Sequence, residues 1–143
     1  MKRAIVTGAT GMIASALIRN LISNNIEVYA LCRPGEEKND EFFKSPLVTA
    51  IDADISELKE TADKITEKCD VLYHFAWLGT FGGDRNAAYM QSDNIRYTLD
   101  AVTLAGKTGC ECFVGAGSQA EYGETGEKLT PDTHANPVTG YGI

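Results

Sequence analysis

The sequence predicts a doubly wound α/β fold, a parallel sheet of about five strands with helices on both faces. Three observations predict it. Short apolar runs alternate with stretches of helical periodicity along the whole 143 residues. The runs are nearly continuous in apolar residues, the pattern of strands covered on both sides. A glycine-bearing turn, "TGATG", joins the first run to the first helical stretch, as in a strand–turn–helix unit.

Taken in order, "RAIVTG" (3–8) reads as a buried first strand. Met12, Ile13, Ala16, Leu17 and Leu21 give the following helix one apolar face. "IEVYALC" (26–32) is the second strand, and the charged loop "PGEEKND" leads to a short helix near Glu41, Phe42 and Phe43. "LVTAIDA" (47–53) is the third strand. Ser56 is expected to cap the next helix, whose apolar face is Leu58, Ala62 and Ile65. "DVLYHFA" (70–76) is the fourth strand, and a long helix over 85–107 carries Tyr89, Ile95, Leu99, Val102 and Ala105. "CECFVGAG" (110–117) is the fifth strand, and a last helix barely begins at Val138. Strand–helix–strand repeats of this kind close with right-handed crossovers.

Composition narrows the function. The length fits one domain, residues 1–143, with a real core. A formal net charge of −7 repels nucleic acid and anionic membranes, so neither is an expected partner. The four cysteines (Cys32, Cys69, Cys110, Cys112) and two histidines (His74, His134) have no metal-ligand spacing, and reduced, buried thiols are expected. Cys110 and Cys112 fall on one side of the predicted fifth strand. The N-terminus has a basic start and a small-x-small site at Ala14–Ala16, but glycine, serine and threonine interrupt the apolar stretch of a secretion signal. No run reaches the roughly 20 apolar residues of a membrane span. The expected location is the cytoplasm.

The turn "TGATGMIA" has the chemistry of a phosphate cradle. Unpaired N–H groups at a helix start, together with the helix dipole, favour an anion wherever side chains leave room. Gly8 and Gly11 provide that room, Thr10 adds a hydroxyl, and Met12 and Ile13 bring the first helical N–H groups. Ala14 stands where a third glycine would allow close helix–strand packing. A dinucleotide is the expected ligand, with a plain structural turn as the alternative, and no P-loop pattern is present. About 20 residues further on, an acid ordinarily meets the ribose of NAD. Here the second strand ends Leu31-Cys32-Arg33, and Arg33 is positioned for a 2′-phosphate, so NADP is preferred and NAD is second choice. Glu36 and Glu37 weigh the other way.

Together these motifs resemble the N-terminal part of an extended short-chain dehydrogenase/reductase, the NAD(P)-dependent epimerase/dehydratase group that works mainly on nucleotide sugars. The resemblance covers essentially the whole chain and implies a Rossmann-type sheet. Gly8, Gly11 and Ala14 answer to TGxxGxxG, with alanine an imperfect third match. Asp54-Ile55 is similar to the acidic–apolar pair that touches adenine in that family. "His74-Phe75-Ala76-Trp77" resembles the HxAA stretch under the cofactor ribose, with Trp77 replacing a small residue. His74 is read as a packed strand residue without chemistry. Asn94 in "NIRYT" matches the asparagine of the long helix, and Ala116 belongs to the segment "GAGSQAEYG". In that segment Ser118, four residues before Tyr122-Gly123, takes the place of the catalytic serine.

"NPVTGYG" is similar to the approach to the family's Tyr-x-x-x-Lys, which implies that Tyr141 is the acid/base. A phenol with a pKa of about 10 is a poor base at neutral pH, and the family's lysine one helical turn later favours the phenolate. That lysine would stand at 145, and the sequence runs to 143. The resemblance therefore implies an enzyme fragment, truncated before the last strands and the substrate lobe, and inactive by itself. The parent activity it implies is hydride transfer on a nucleotide-activated sugar. Gln119-Ala120 holds no carboxylate where a dehydratase needs an acid/base pair, which favours reductase or epimerase, although Glu121 keeps a dehydratase open. A homodimer through the long helix is expected, with the fifth strand as a sheet edge. The alternative function is a non-catalytic NADP-binding sensor or scaffold.

Overall fold

The computed structural model describes residues 1–143. The five strands are all parallel: β1 (Arg3–Thr7), β2 (Glu27–Cys32), β3 (Val48–Asp52), β4 (Val71–His74) and β5 (Cys112–Gly115). Their order is β3-β2-β1-β4-β5, so the order reverses between β1 and β4. In open α/β sheets that reversal leaves a crevice beyond the strand C-termini, where ligands bind. The expected doubly wound α/β class is the one observed.

Alternation along β1 builds two cores. Ala4 and Val6 face one side, where α1 (Met12–Ser23) supplies Ala14, Ile18 and Leu21 and the β2–β3 connection supplies Phe42. Ile5 faces the other side with Tyr29, Leu31, Ile51 and Leu72, covered by Ala101, Leu104 and Ala105 of α2 (Ala88–Lys107). Both faces of the central strands are thus dry, which is why they read as unbroken apolar runs. At the sheet's edges β3 and β5 are more exposed.

The chain resolves into two compact units, residues 1–76 with 96–116 and residues 77–95 with 117–143. The first contains the whole sheet. The second contains no strand and consists of the early turns of α2, a glycine-rich loop and the last 27 residues, tied by side-chain-to-backbone hydrogen bonds.

Several expectations need correction. The buried face of α1 is Ala14, Ile18 and Leu21, spaced i, i+4, i+7, while Met12, Ile13 and Ala16 lie off that stripe and are exposed. No single helix follows β3. Two 3-10 turns, Ile55–Glu57 and Glu60–Lys64, form instead, and Leu58 and Thr61 are buried at the three-residue spacing of that geometry. The first is capped by Asp54, not Ser56: the Asp54 carboxylate accepts from Ser56 N at 2.9 Å and Ser56 Oγ at 2.6 Å, while the second has no side-chain cap. The long helix starts at Ala88, since Gly82–Asn86 forms a separate 3-10 turn ending in extended Ala87. Its residues Tyr89, Ile95, Leu99 and Val102 point outward, and only Ala105 of the expected apolar set is buried. Val138 starts no helix. Pro137, Gly140 and Gly142 are poor helix formers, and residues 139–142 instead close a turn with Gly142 N bonded to Thr139 O at 2.9 Å. Cys110 precedes β5 and is half-buried, and Cys112 is exposed, so the thiols are not uniformly buried. Burial pushes the Cys32 thiol up to about 11 and the Cys69 thiol up to about 12, which keeps both protonated.

Candidate functional site

In the first unit, the candidate dinucleotide residues gather at the C-terminal tips of β1, β2 and β4. Gly8 ends β1 with φ +64°, and a Cβ there would lie 3.0 Å from Ala76 N and 3.2 Å from the Phe75 carbonyl carbon. Glycine is required on both counts, since a side chain would be strained and would collide with backbone. Gly11 is the N-cap of α1 and accepts from Ser15 N at 2.8 Å. No side chain caps this helix and its first turn has no acid, so its leading N–H groups, including those of Met12 and Ile13, remain open to an anion. Thr10 is half-buried beside them. Ala14 is 1% exposed, and its methyl is accommodated in the α1–sheet core.

Thr7 fixes this turn, a role the sequence reading overlooked. Its buried Oγ1 accepts from Phe75 N at 3.0 Å and from Ala76 N at 3.1 Å, and it lies 2.9 Å from His74 Nδ1. With both acceptor positions taken, the Thr7 hydroxyl donates to Nδ1. His74 is then the Nε2–H tautomer, facing Thr98 Oγ1 at 3.5 Å. Burial holds His74 down at about 4, so the ring is neutral at physiological pH, as its reading as a packed residue expects. Ala116 N continues the ladder by donating to His74 O at 3.2 Å.

Arg33 follows β2, largely exposed, with its guanidinium 3.2 Å from Glu36. Asp54 is near enough to feel that charge. Its carboxyl sits below the usual carboxylate range, chiefly through the hydrogen bonds from Ser56, with Arg33 adding to the effect. Ile55 follows it, half-buried.

In the second unit, α2 presents two buried amides. Asn94 Oδ1 accepts from Leu78 N at 3.0 Å and its Nδ2 donates to Leu78 O at 2.8 Å. Gln91 Nε2 donates to Gly79 O at 3.1 Å and Asp84 O at 2.9 Å, while its Oε1 accepts from Trp77 Nε1 at 3.0 Å. Trp77 in turn meets the Tyr141 ring edge-on, with centroids 6.2 Å apart and planes at 75°. The Arg85 guanidinium lies 5.2 Å from the Tyr141 centroid. Arg85 O accepts from Tyr141 N at 2.8 Å, and Asn86 Oδ1 accepts from Gly140 N at 3.0 Å. Gln91, Arg85 and Asn86 went unnoticed in the sequence. The available signal was Gln91, Asn94 and Thr98, polar residues in register with the buried Ala101.

Ser118 caps the 3-10 turn Gln119–Tyr122. Its Oγ accepts from Ala120 N at 3.1 Å, and Glu121 reaches back to accept from Ser118 N at 2.6 Å. The Ser118 hydroxyl keeps its proton available as a donor. Asn136 N donates to Glu121 O at 2.9 Å, and Gly142 lies against Ala120 O, so the Ser118 turn packs on the segment that carries Tyr141.

No helix is long and apolar enough to cross a membrane. A family model described as "NAD dependent epimerase/dehydratase family" matches residues 4–143. Among solved structures, a UDP-galactose 4-epimerase superposes with a TM-score of 0.79 at 25% identity, covering 98% of this chain and 46% of that one. A UDP-glucose 4-epimerase from Stenotrophomonas maltophila, with bound NAD and formylated UDP-arabinopyranose, gives 0.83 at 19% identity, covering 99% and 45%. The dTDP-glucose 4,6-dehydratase DesIV from Streptomyces venezuelae, with NAD and TYD bound, gives 0.76 at 22% identity, covering 98% and 47%. The chain thus spans less than half the length of these structures. With the family model matching nearly every residue, this chain belongs to the NAD-dependent epimerase/dehydratase family.

Proposed function

We propose that these residues form the dinucleotide-binding domain and part of the acid/base machinery of an enzyme acting on a nucleotide-activated sugar. The observation that carries the reading is the uncapped N-terminus of α1, which the Gly8 turn sets beside the tip of β4 where the strand order reverses. A pyrophosphate fits there. Met12 and Ile13 hold it through backbone N–H groups, Asp54 and Ile55 border the adenine end, and Phe75, Ala76 and Trp77 border the ribose, with Ala116 tied to His74 O beside β4. The bound nicotinamide supplies hydride exchange. Tyr141 takes or returns the hydroxyl proton, and Ser118 donates to the same substrate oxygen. Asn94, the family-matched asparagine, holds the Leu78 backbone.

NADP is the preferred cofactor. Arg33 is largely exposed and pairs with the half-buried Glu36 at 3.2 Å, a partly solvated pairing that a 2′-phosphate can replace. Glu121 is engaged in the Ser118 cap, which favours a 4-keto-sugar reductase or an epimerase over a dehydratase. The exposed Ile95, Leu99 and Val102 stripe of α2 suits a homodimer. The cytoplasm suits four free thiols.

Two experiments test this. The 143-residue polypeptide, titrated with NADPH by fluorescence, is expected to bind it but to turn over no sugar. A protein carrying these residues at the length of the matched structures is expected to oxidise NADPH with a nucleotide 4-keto-sugar, and Tyr141→Phe to abolish that. Binding without turnover in the longer protein would instead support a sensor or scaffold.

A further inference from the structure

Trp77 is the only tryptophan of the chain. Its indole is not loosely placed. Gln91 is 7% exposed, and its amide is fully committed: Oε1 to Trp77 Nε1 and to Asn94 Nδ2 at 3.3 Å, Nε2 to the carbonyls of Gly79 and Asp84. The loop has been shaped to that amide. Gly79 has φ +71°, and a Cβ there would lie 2.7 Å from Gln91 Nε2. Tyr141 is gripped in turn by Arg85 O, by the Arg85 guanidinium and by the Trp77 edge.

We infer that Gln91 is a positioning residue which, by fixing the Trp77 indole, makes it a rigid aromatic wall beside Tyr141 that aims the phenol and restricts what reaches its hydroxyl. This rests on the proposed acid/base role of Tyr141. An indole wall accepts the C–H side of a saturated ring and gives a charged substituent no partner.

The test uses the 143-residue polypeptide and needs no substrate. The single indole N–H resonance, the emission maximum and the quenching of tryptophan by acrylamide report the Gln91–Trp77 bond. Acetylation of Tyr141 by N-acetylimidazole, mapped by mass spectrometry, reports access to the phenol. Gln91→Leu is expected to shift the indole resonance toward its solvent position, raise quenching severalfold and speed Tyr141 acetylation. Trp77→Ala should speed acetylation severalfold, while Trp77→Phe, which restores an aromatic wall, should return it close to the parent rate. That rescue is what a merely structural role would not produce. Unchanged indole signals in folded Gln91→Leu, or Trp77→Ala acetylating at the parent rate, overturn the inference. If Gln91→Leu fails to fold, the two Trp77 variants decide alone. If Tyr141→Phe leaves the longer enzyme active while these results hold, the acid/base reading falls and the wall stands.

Discussion

Residues 1–76 with 96–116 and residues 77–95 with 117–143 are compact for different physical reasons. The first unit is a hydrogen-bonded ladder between two apolar layers, in which side chains such as Ile5, Ile18, Leu72 and Leu104 are wholly buried. The second has no strand and few buried apolar side chains. Its fixed points are amides and caps: Gln91 and Asn94 on the Leu78–Asp84 loop, Ser118 with Glu121, and Asn86 on Gly140. Apolar burial is non-directional and forgiving, so a layer survives small changes in partner. A polar tie is directional, and each broken one leaves a buried group unpaired. The first unit is thus built to hold a turn still, and the second to set individual side chains at defined angles.

The largest test of that contrast is Ile18→Ala. Loss of a fully buried side chain from the α1 core should cost about 2–5 kcal/mol in urea unfolding. A cost much below this would mean that the apolar layer is not what holds the first unit together. Next comes pH. His74 is titratable at about 4 when folded and near 6.5 when unfolded, so below 6.5 the unfolded chain takes the proton first. Stability is complete above 6.5 and drains as pH falls toward 4, by on the order of 3 kcal/mol. His74→Gln should flatten that slope in a series of denaturation curves.

Asn94→Leu should cost about 1–3 kcal/mol for each Leu78 group left unpaired. Hydrogen exchange should locate the loss in residues 77–86, with protection of β1 and β4 unchanged. Spread of the loss into the sheet would erase the distinction between the units. The smallest effect is expected at Arg33, an exposed group. Arg33→Ala should weaken NADP binding by about 1–2 kcal/mol, the worth of a charge-assisted contact, and leave NAD binding nearly unchanged. An equal loss for both would remove the basis for preferring NADP.

The same contrast explains what was readable from residues alone. β1, β2 and β4 announced themselves because double burial writes continuous apolar runs, and "TGATG" because its glycines meet a backbone constraint, φ +64° at Gly8. The face of α2 was misread for a physical reason. Its inward residues include the polar Gln91 and Asn94, while Ile95, Leu99 and Val102 face out, so hydrophobicity pointed the wrong way. The Asp54 cap was missed in favour of Ser56 because both residue types cap, and only geometry shows which one accepts. Ser118, Tyr141 and Trp77 were picked out through resemblance. Their ties to Glu121, Arg85 and Gln91 were not legible, because nothing in a one-dimensional pattern pairs residue 77 with 91 or 85 with 141.

The strand order has a kinetic consequence. β1 pairs on one side with β2, which follows soon after it, and on the other with β4, where Thr7 and His74 are 67 residues apart in the chain. On a ribosome, β1, α1 and β2 emerge and can join early, while one flank of β1 waits for β4 to be synthesised. Until then Ile5 and the open N–H and C=O groups on that flank are exposed to other nascent chains. The central strand of the finished sheet is the aggregation-prone edge of the unfinished one, and late arrival of β4 should dominate the folding time.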